Sequence, residues 1–267
     1  MRPTFGREYI ENEFLRIGDG LSKPLTVYLI GGGAMSLRDL KGATKDIDLV
    51  VPDGDAYGQL WAVLMDLRYA EVQSLDSDYR ALGATSCVEN DDGCRLDIFN
   101  QQVANKLVLT DGMRARSEPF LDTDRLTVQL VSNEDIFLFK AIAGRDDDIG
   151  DLNMLVQAGL DYDVIEAELE AQIDRLDDDQ FATFANEALV ELEERYGVTT
   201  PIEDRVQELT EQFYRGLEVL QALDEPMTLN ELAAELELDT DEVRDRVAYL
   251  ATFNRIRRDG DTVHPVE

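Results

Sequence analysis

Positive charge is scarce in this sequence, and lysine is its scarcest carrier: Lys23, Lys41, Lys45, Lys106 and Lys140 are the only ones among 267 residues. The 25 basic residues face 57 acidic ones, a formal net charge of −32. Disorder is the first class such a charge suggests, but 44% hydrophobic residues arranged in periodic segments argue against it. The acidic surplus is spread over almost every predicted helix surface, which disfavours a single acidic face made for a basic partner. It fits a protein built for a high-salt cytosol, because in molar salt the Debye length falls to about 3 Å and surface repulsion is largely screened.

Other shortages exclude whole chemistries. The one histidine, His264, lies near the end of the chain, so Ser-His and Cys-His hydrolysis lack a base placed with a nucleophile. Cys87 and Cys94 flank the turn-like Asn90-Asp91-Asp92-Gly93. Two cysteines and one distant histidine fall short of a zinc site, and the pair reads as small buried hydrophobes. No apolar run approaches ~18 residues and no signal peptide is visible, so the expectation is a cytoplasmic protein with no membrane partner.

What is present is organised around residues 27–51, VYLIGGGAMSLRDLKGATKDIDLVV. An apolar run of strand type (Val27, Tyr28, Leu29, Ile30) breaks at Gly31, Gly32 and Gly33. A short helix-like segment follows and leads into a second strand, Asp46-Ile47-Asp48-Leu49-Val50-Val51. Residues two apart on a strand share a face, so Asp46 and Asp48 should stand side by side, roughly 6 to 7 Å apart, with Ile47 and Leu49 toward the core. Like charges that close repel unless a cation sits between them. Few, carboxylate-rich oxygen ligands suit Mg²⁺, which usually takes other ligands from water and substrate phosphates. Glycine backbone at a helix start can approach a phosphate closely.

A hydrophobic strand, a Gly-Gly turn, about a dozen residues and Asp-Ile-Asp with apolar followers resemble the polymerase-β-like nucleotidyltransferase superfamily. The resemblance implies a nucleoside triphosphate substrate, Mg²⁺ as cofactor, and a third carboxylate from a later strand. The candidate is Asp97 in Arg95-Leu96-Asp97-Ile98-Phe99, where Leu96 and Ile98 alternate with polar positions. Asp46, Asp48 and Asp97 are then the metal-holding catalytic set, and Gly31, Gly32 and Gly33 the phosphate turn. Many members carry Gly-Ser where this chain has Gly32-Gly33; Ser36 or backbone N–H groups would stand in for that hydroxyl.

A second constellation, residues 140–151, places a lysine on a helix, then Gly-Arg, then an acidic run. It is similar to the segment after the core in AbiEii-type toxin nucleotidyltransferases. That likeness implies that Lys140 meets the triphosphate as a mobile point charge, that Asp148 orients it or a nearby base, and that Arg145 serves either role. The acceptor is left open: RNA, protein or a small molecule.

Elsewhere the chain reads as a helix through Ile17, a helix over 56–67, a strand near 85–89, a strand over 126–130 and a helix from the Ser132-x-x-Asp135 box to Ala143. Helical spacing then runs over 149–158, 163–176 and 178–196. Thr200, Pro201 and Glu203 open a long helix toward Leu223. Thr228-x-x-Glu231 caps a helix over 229–236, a second helix spans 241–252, and residues 256–264 form a tight ribbon. This order resembles a winged helix-turn-helix. The expected fold is α/β (α+β) with a mixed sheet over 1–160, a helical extension over 161–200 and a winged helix over 201–267.

The winged helix carries the rival reading, a DNA-binding regulator whose first domain is a sensor or scaffold. Its candidate contacts are Arg244, Arg246, Arg255, Arg257 and Arg258. The predicted recognition helix also holds Asp241, Glu242 and Asp245, so it has no excess of positive charge, and binding by counterion release weakens as salt rises. A packing or dimerisation module is the simpler role.

Overall fold

The computed structural model describes residues 2–73, 83–104 and 106–266. Helix α1 (Arg7–Gly20) buries Ile10, Phe14 and Ile17. It continues past the expected stop at Gly18, because a side chain there would press within 3.2 Å of Leu126 and glycine lets the helix lie close to the sheet. Then come β1 (Leu25–Ile30), α2 (Gly31–Leu37), β2 (Asp46–Val51) and α3 (Gly54–Asp66). The side chain of Asp53 caps α3 by accepting from Ala56 N at 2.8 Å. Strands β3 (Ala70–Glu71), β4 (Ser86–Glu89) and β5 (Arg95–Asn100) follow. After them stand the small hairpin β6 (Gln102–Val103) and β7 (Leu107–Val108), helix α4 (Asp111–Arg116), β8 (Glu118–Asp122) and β9 (Leu126–Leu130).

Seven strands form one mixed sheet in the order β3-β4-β5-β2-β1-β9-β8. β2 pairs parallel with β5 and antiparallel with β1, and β1 pairs parallel with β9. The central strands are covered on both faces: Val27, Leu29, Ile47, Leu49, Val50, Leu96, Ile98 and Phe99 are all buried. Near-continuous apolar runs are what such strands require. The expectation of a mixed sheet with helices against it holds.

Helices α5 (Asn133–Ala143), α6 (Asp146–Ala158), α7 (Tyr162–Leu176) and α8 (Phe181–Tyr196) follow. Ser132 caps α5 as expected, accepting from Asp135 N. Helix α6 begins three residues before the expected 149, since Asp146, Asp147 and Asp148 suit the positive end of the helix dipole. Helix α8 begins later than 178, because the Asp178 side chain turns back to accept from Gln180 N.

The next helix, α9 (Glu203–Ala222), corrects a boundary. Thr200 was expected as its cap and Pro201 as its first residue, but Pro201 and Ile202 form a turn. Only half of the box survives: Glu203 accepts from the Thr200 backbone N–H at 2.5 Å. The last segment holds β10 (Met227–Thr228), α10 (Leu229–Leu236), α11 (Thr240–Thr252), β11 (Ile256–Asp259) and β12 (Thr262–Pro265). Thr228 and Glu231 make the complete capping box. The three strands pair as β10-β12-β11 beside α10 and α11.

Two apolar cores result. The larger runs from Phe5 to Leu209 and takes in the sheet together with Ile165, Leu169, Phe181 and Leu192 of α7 and α8. The smaller gathers Val219, Leu229, Leu232, Val243, Val247, Leu250, Ile256 and Val263. Helix α9 serves both, through Val206 and Leu209 at one end and Val219 at the other.

Candidate active site

The parallel pairing of β2 with β5 sets Asp48 directly opposite Asp97 and Asp46 opposite Arg95. Along β2 the alternation is as expected, with Asp46 and Asp48 half-buried and Ile47 and Leu49 in the core. Asp97 is fully buried, because β5 lies between β2 and β4. Neither of its carboxylate oxygens accepts an N–H or O–H hydrogen bond among the described residues. Its neighbour across the β4 pairing is Cys87.

Two carboxylates at one register position disfavour each other's ionisation. Burial pushes Asp48 well above the ordinary carboxylate range, and Asp97 and Asp46 add to the rise. Arg145 and Lys140 oppose it through their charge. Asp97 is raised in the same way, first by burial and then by Asp46, against the Cys87 thiol, Arg95 and Arg2.

Gly31 explains how Asp48 fits. It opens α2 at φ +64°, and a Cβ built on it would lie 2.3 Å from Asp48 Oδ2. Any side chain at position 31 would be strained in its backbone and would displace the carboxylate. A Cβ on Gly32 would lie 3.1 Å from Thr44 Oγ1 and 4.0 Å from Lys41 Nζ, whereas Gly33 packs against Leu29 in the core. The three glycines therefore do different work. Ser36 is buried toward the far end of α2.

Asp46 has a partner that sequence reasoning did not foresee. Arg2 Nη2 pairs with Asp46 Oδ1 at 2.5 Å and donates to the Lys45 carbonyl at 3.3 Å. Phe5 anchors this arm by a two-way backbone bridge to Thr44, at 2.7 and 3.1 Å. As they stand, no three His, Cys, Asp or Glu side chains among the described residues are gathered to hold a metal ion. The donor set still fits a hard cation: all-oxygen, negatively charged, with the buried Asp97 carboxylate accepting no N–H or O–H hydrogen bond among the described residues.

The second constellation lies beside the first. Gly144, in the left-handed conformation at φ +62°, ends α5 and turns the chain into α6. Lys140 Nζ reaches Asp148 Oδ1 at 2.8 Å and Asp151 Oδ2 at 2.6 Å. Arg145 donates twice to Asp148, at 2.7 and 3.0 Å. Burial alone would lower Lys140, but the two carboxylates hold it above the ordinary lysine range. Asp148, which burial would raise, is kept below its ordinary range by Lys140 and Arg145. The expectation of Lys140 as a mobile charge thus needs correction: it is buried and held from two sides. Lys41 completes the group by donating to both oxygens of Asp151, at 2.9 and 3.0 Å.

The sequence reading passed over Arg2, Lys41, Thr44, Arg95 and Asp151. Thr44 could have been found from its place two residues before Asp46, where its hydroxyl donates to the Asp46 carbonyl at 2.8 Å. Asp151 lies in the 140–151 segment, three residues after Asp148 on the same helix, and Arg95 two before Asp97; Arg2 and Lys41 carry no local signal.

The C-terminal arginines are mostly engaged at home. Arg244 pairs with Asp241, and Arg246 with Glu218 and Glu242 at 2.5 and 2.7 Å. Arg255 pairs with Asp178 and, at 2.8 Å, with the buried Asp179, while its guanidinium lies over Phe213 and Phe253. Tyr249 donates to Asp179 as well. Arg258 donates to the Gly260 carbonyl at 2.7 Å, and Arg257 stands exposed on β11.

No curated protein matches this chain. The family described as nucleotidyltransferase of unknown function (DUF6036) matches residues 12–196. That span includes Gly31, the carboxylates of β2 and β5, and the Lys140–Asp151 group, and ends before α9. With more than half its length matched, the chain belongs to this nucleotidyltransferase family.

Proposed function

We propose that this protein is a Mg²⁺-dependent enzyme that moves a nucleoside monophosphate from a nucleoside triphosphate to an acceptor hydroxyl, with RNA or protein as the acceptor class. The observation that carries this reading is the Asp48–Asp97 register pair, two carboxylates raised by burial, Asp48 also by Asp97 and Asp97 by Asp46, beside a glycine that makes room for Asp48. Asp48 and Asp97 would hold the metal, joined by Asp46 once its carboxylate leaves Arg2. Bound there, Mg²⁺ would supply the positive charge that acidifies an acceptor hydroxyl and offsets charge on the transferring phosphoryl group.

The chain's own residues do the positioning. Gly32 makes room for the Thr44 hydroxyl, and Gly31 keeps Asp48 close to the start of α2. Lys140 and Arg145 keep Asp148 ionised and extend their field to Asp48. Positioning and charge neutralisation supply most of the rate in phosphoryl-type transfer, so no histidine is required. Isothermal titration with Mg²⁺ and ATP tests the reading: heat in the wild type that disappears in Asp48→Asn supports it, and equal binding by both excludes this site.

The C-terminal unit supports packing better than DNA reading. Arg244, Arg246 and Arg255 spend their charge on acidic neighbours, and Arg255 ties α11's end to the approach to α8. If the unit does grip DNA as a winged helix, Arg257→Ala should weaken binding across all sequences in a mobility-shift titration. An undiminished, sequence-specific shift would place the contact elsewhere.

A further inference from the structure

We infer that Lys41 is the cation that leaves the protein's own ion pairs to meet the triphosphate, with Asp151 as the residue that parks it; this rests on the nucleotidyltransferase reading above. Three cations, Lys41, Lys140 and Arg145, converge on two carboxylates, Asp148 and Asp151. The three are not equally placed to move. The Lys140 side chain is 5% exposed and Lys41 36%. Arg145 is held by two hydrogen bonds to Asp148, three residues along the chain. Lys41 also stands 4.0 Å from the position of a Cβ on Gly32, in the glycine turn after β1, where the Thr44 hydroxyl lies closer at 3.1 Å.

The sharing of Asp151 makes this movement feasible. Asp151 is buried, and a buried carboxylate stripped of its partner is costly. When Lys41 swings away, Lys140 still holds Asp151 Oδ2 at 2.6 Å, so the carboxylate is never left alone. Lys140, by contrast, is buried and bridges both carboxylates, so its departure would take a partner from Asp148 and Asp151 at once. Lys140 is therefore the counter-charge that lets Lys41 go, and Lys41 is the group that touches phosphate. Asp151 acts through Lys41 and is a positioning residue.

A purely structural role is the competing explanation, in which the Lys41–Asp151 pair pins the loop after α2 to α6. The two roles predict different signs. The probe is inorganic tripolyphosphate with Mg²⁺, titrated by calorimetry into the intact protein, with the thermal midpoint of each variant as a control for folding. Lys41→Gln should weaken tripolyphosphate about ten- to a hundredfold, the worth of one charge-assisted hydrogen bond, with the midpoint nearly unchanged. Lys41→Arg should restore most of the affinity. Asp151→Asn should leave the affinity equal to or tighter than wild type, because it releases Lys41. If Lys41→Gln and Asp151→Asn weaken binding alike, the pair is only a pin and the inference fails. If Lys41→Gln binds as the wild type does, the phosphate is held elsewhere. If the wild type itself ignores tripolyphosphate and Mg·ATP, the nucleotidyltransferase reading falls together with this one.

Discussion

Replacing Asp97 by Asn should make the metal-free protein more stable, an unusual outcome for a change in the middle of a core strand. Asp97 is 1% exposed and, among the described residues, neither oxygen accepts an N–H or O–H hydrogen bond. Its pKa is raised from 3.8 to about 6 by burial and by Asp46. At ~1.4 kcal/mol per pH unit, holding it ionised at neutral pH costs the fold about 3 kcal/mol. Asn removes that cost but brings an amide whose N–H groups lack assured partners, a penalty of roughly 1–2 kcal/mol. The net gain is about 1–2 kcal/mol, or roughly 2–8 °C in Tm for a chain of this size.

The pH dependence carries the sign. The folded state holds the Asp97 proton more tightly than the unfolded state, so wild-type stability falls as pH rises from the unfolded value through the folded one. Near pH 4 only the amide penalty remains, so Asp97→Asn should be the less stable by about 1–2 kcal/mol; the order should cross between pH 4 and about 6, leaving the variant ahead at neutral pH. Saturating Mg²⁺ should reverse the order, because only the wild type gains from the ion. Denaturant melts in EDTA and in Mg²⁺ across that range measure it. An Asp97→Asn protein less stable than wild type at pH 7.5 in EDTA would refute the reasoning, as would a difference that ignores pH.

Other outcomes follow from the same geometry. Arg2→Ala should tighten Mg²⁺ by about threefold, the worth of a half-exposed ion pair, since Asp46 no longer has to be taken from Arg2; unchanged or weaker binding by calorimetry would count against Asp46 as a ligand. Gly31→Ala should cost roughly 1–2 kcal/mol from its backbone conformation alone and should also abolish Mg²⁺ binding by displacing Asp48, to be read from melts and titration together. Thermal midpoints should climb steeply from dilute buffer to molar KCl as the net charge of −32 is screened. A flat profile would remove the high-salt interpretation.

Much of the fold was legible because local signals agreed with tertiary needs. Residues 27–51 alternate, turn and alternate again, and β1, α2 and β2 lie where that pattern puts them. Capping residues marked α3, α5 and α10 for the same reason: Asp53, Ser132 and Thr228 each satisfy a backbone donor at a helix start. Residues 101–125 stayed unread because β6 and β7 are two residues each and Pro119 sits inside β8, an edge strand that tolerates it. The site was half legible. Asp46, Asp48 and Asp97 are found by strand period, but the register that sets Asp48 against Asp97 comes from pairing strands whose carboxylates are 49 positions apart. Lys41 and Asp151 are 110 positions apart, and Arg2 reaches Asp46 through the Phe5–Thr44 bridge. Such contacts are written only in the packing.

The central claim is that Asp48 and Asp97 together hold the metal of a nucleotidyl transfer. It is met most directly by incubating the protein with each α-labelled nucleoside triphosphate, Mg²⁺ and cell extract in molar KCl, beside Asp48→Asn and Asp97→Asn. The account predicts label joined to a macromolecular acceptor in the wild type, lost in EDTA and in both variants. Label transfer that persists in Asp48→Asn or Asp97→Asn would contradict it.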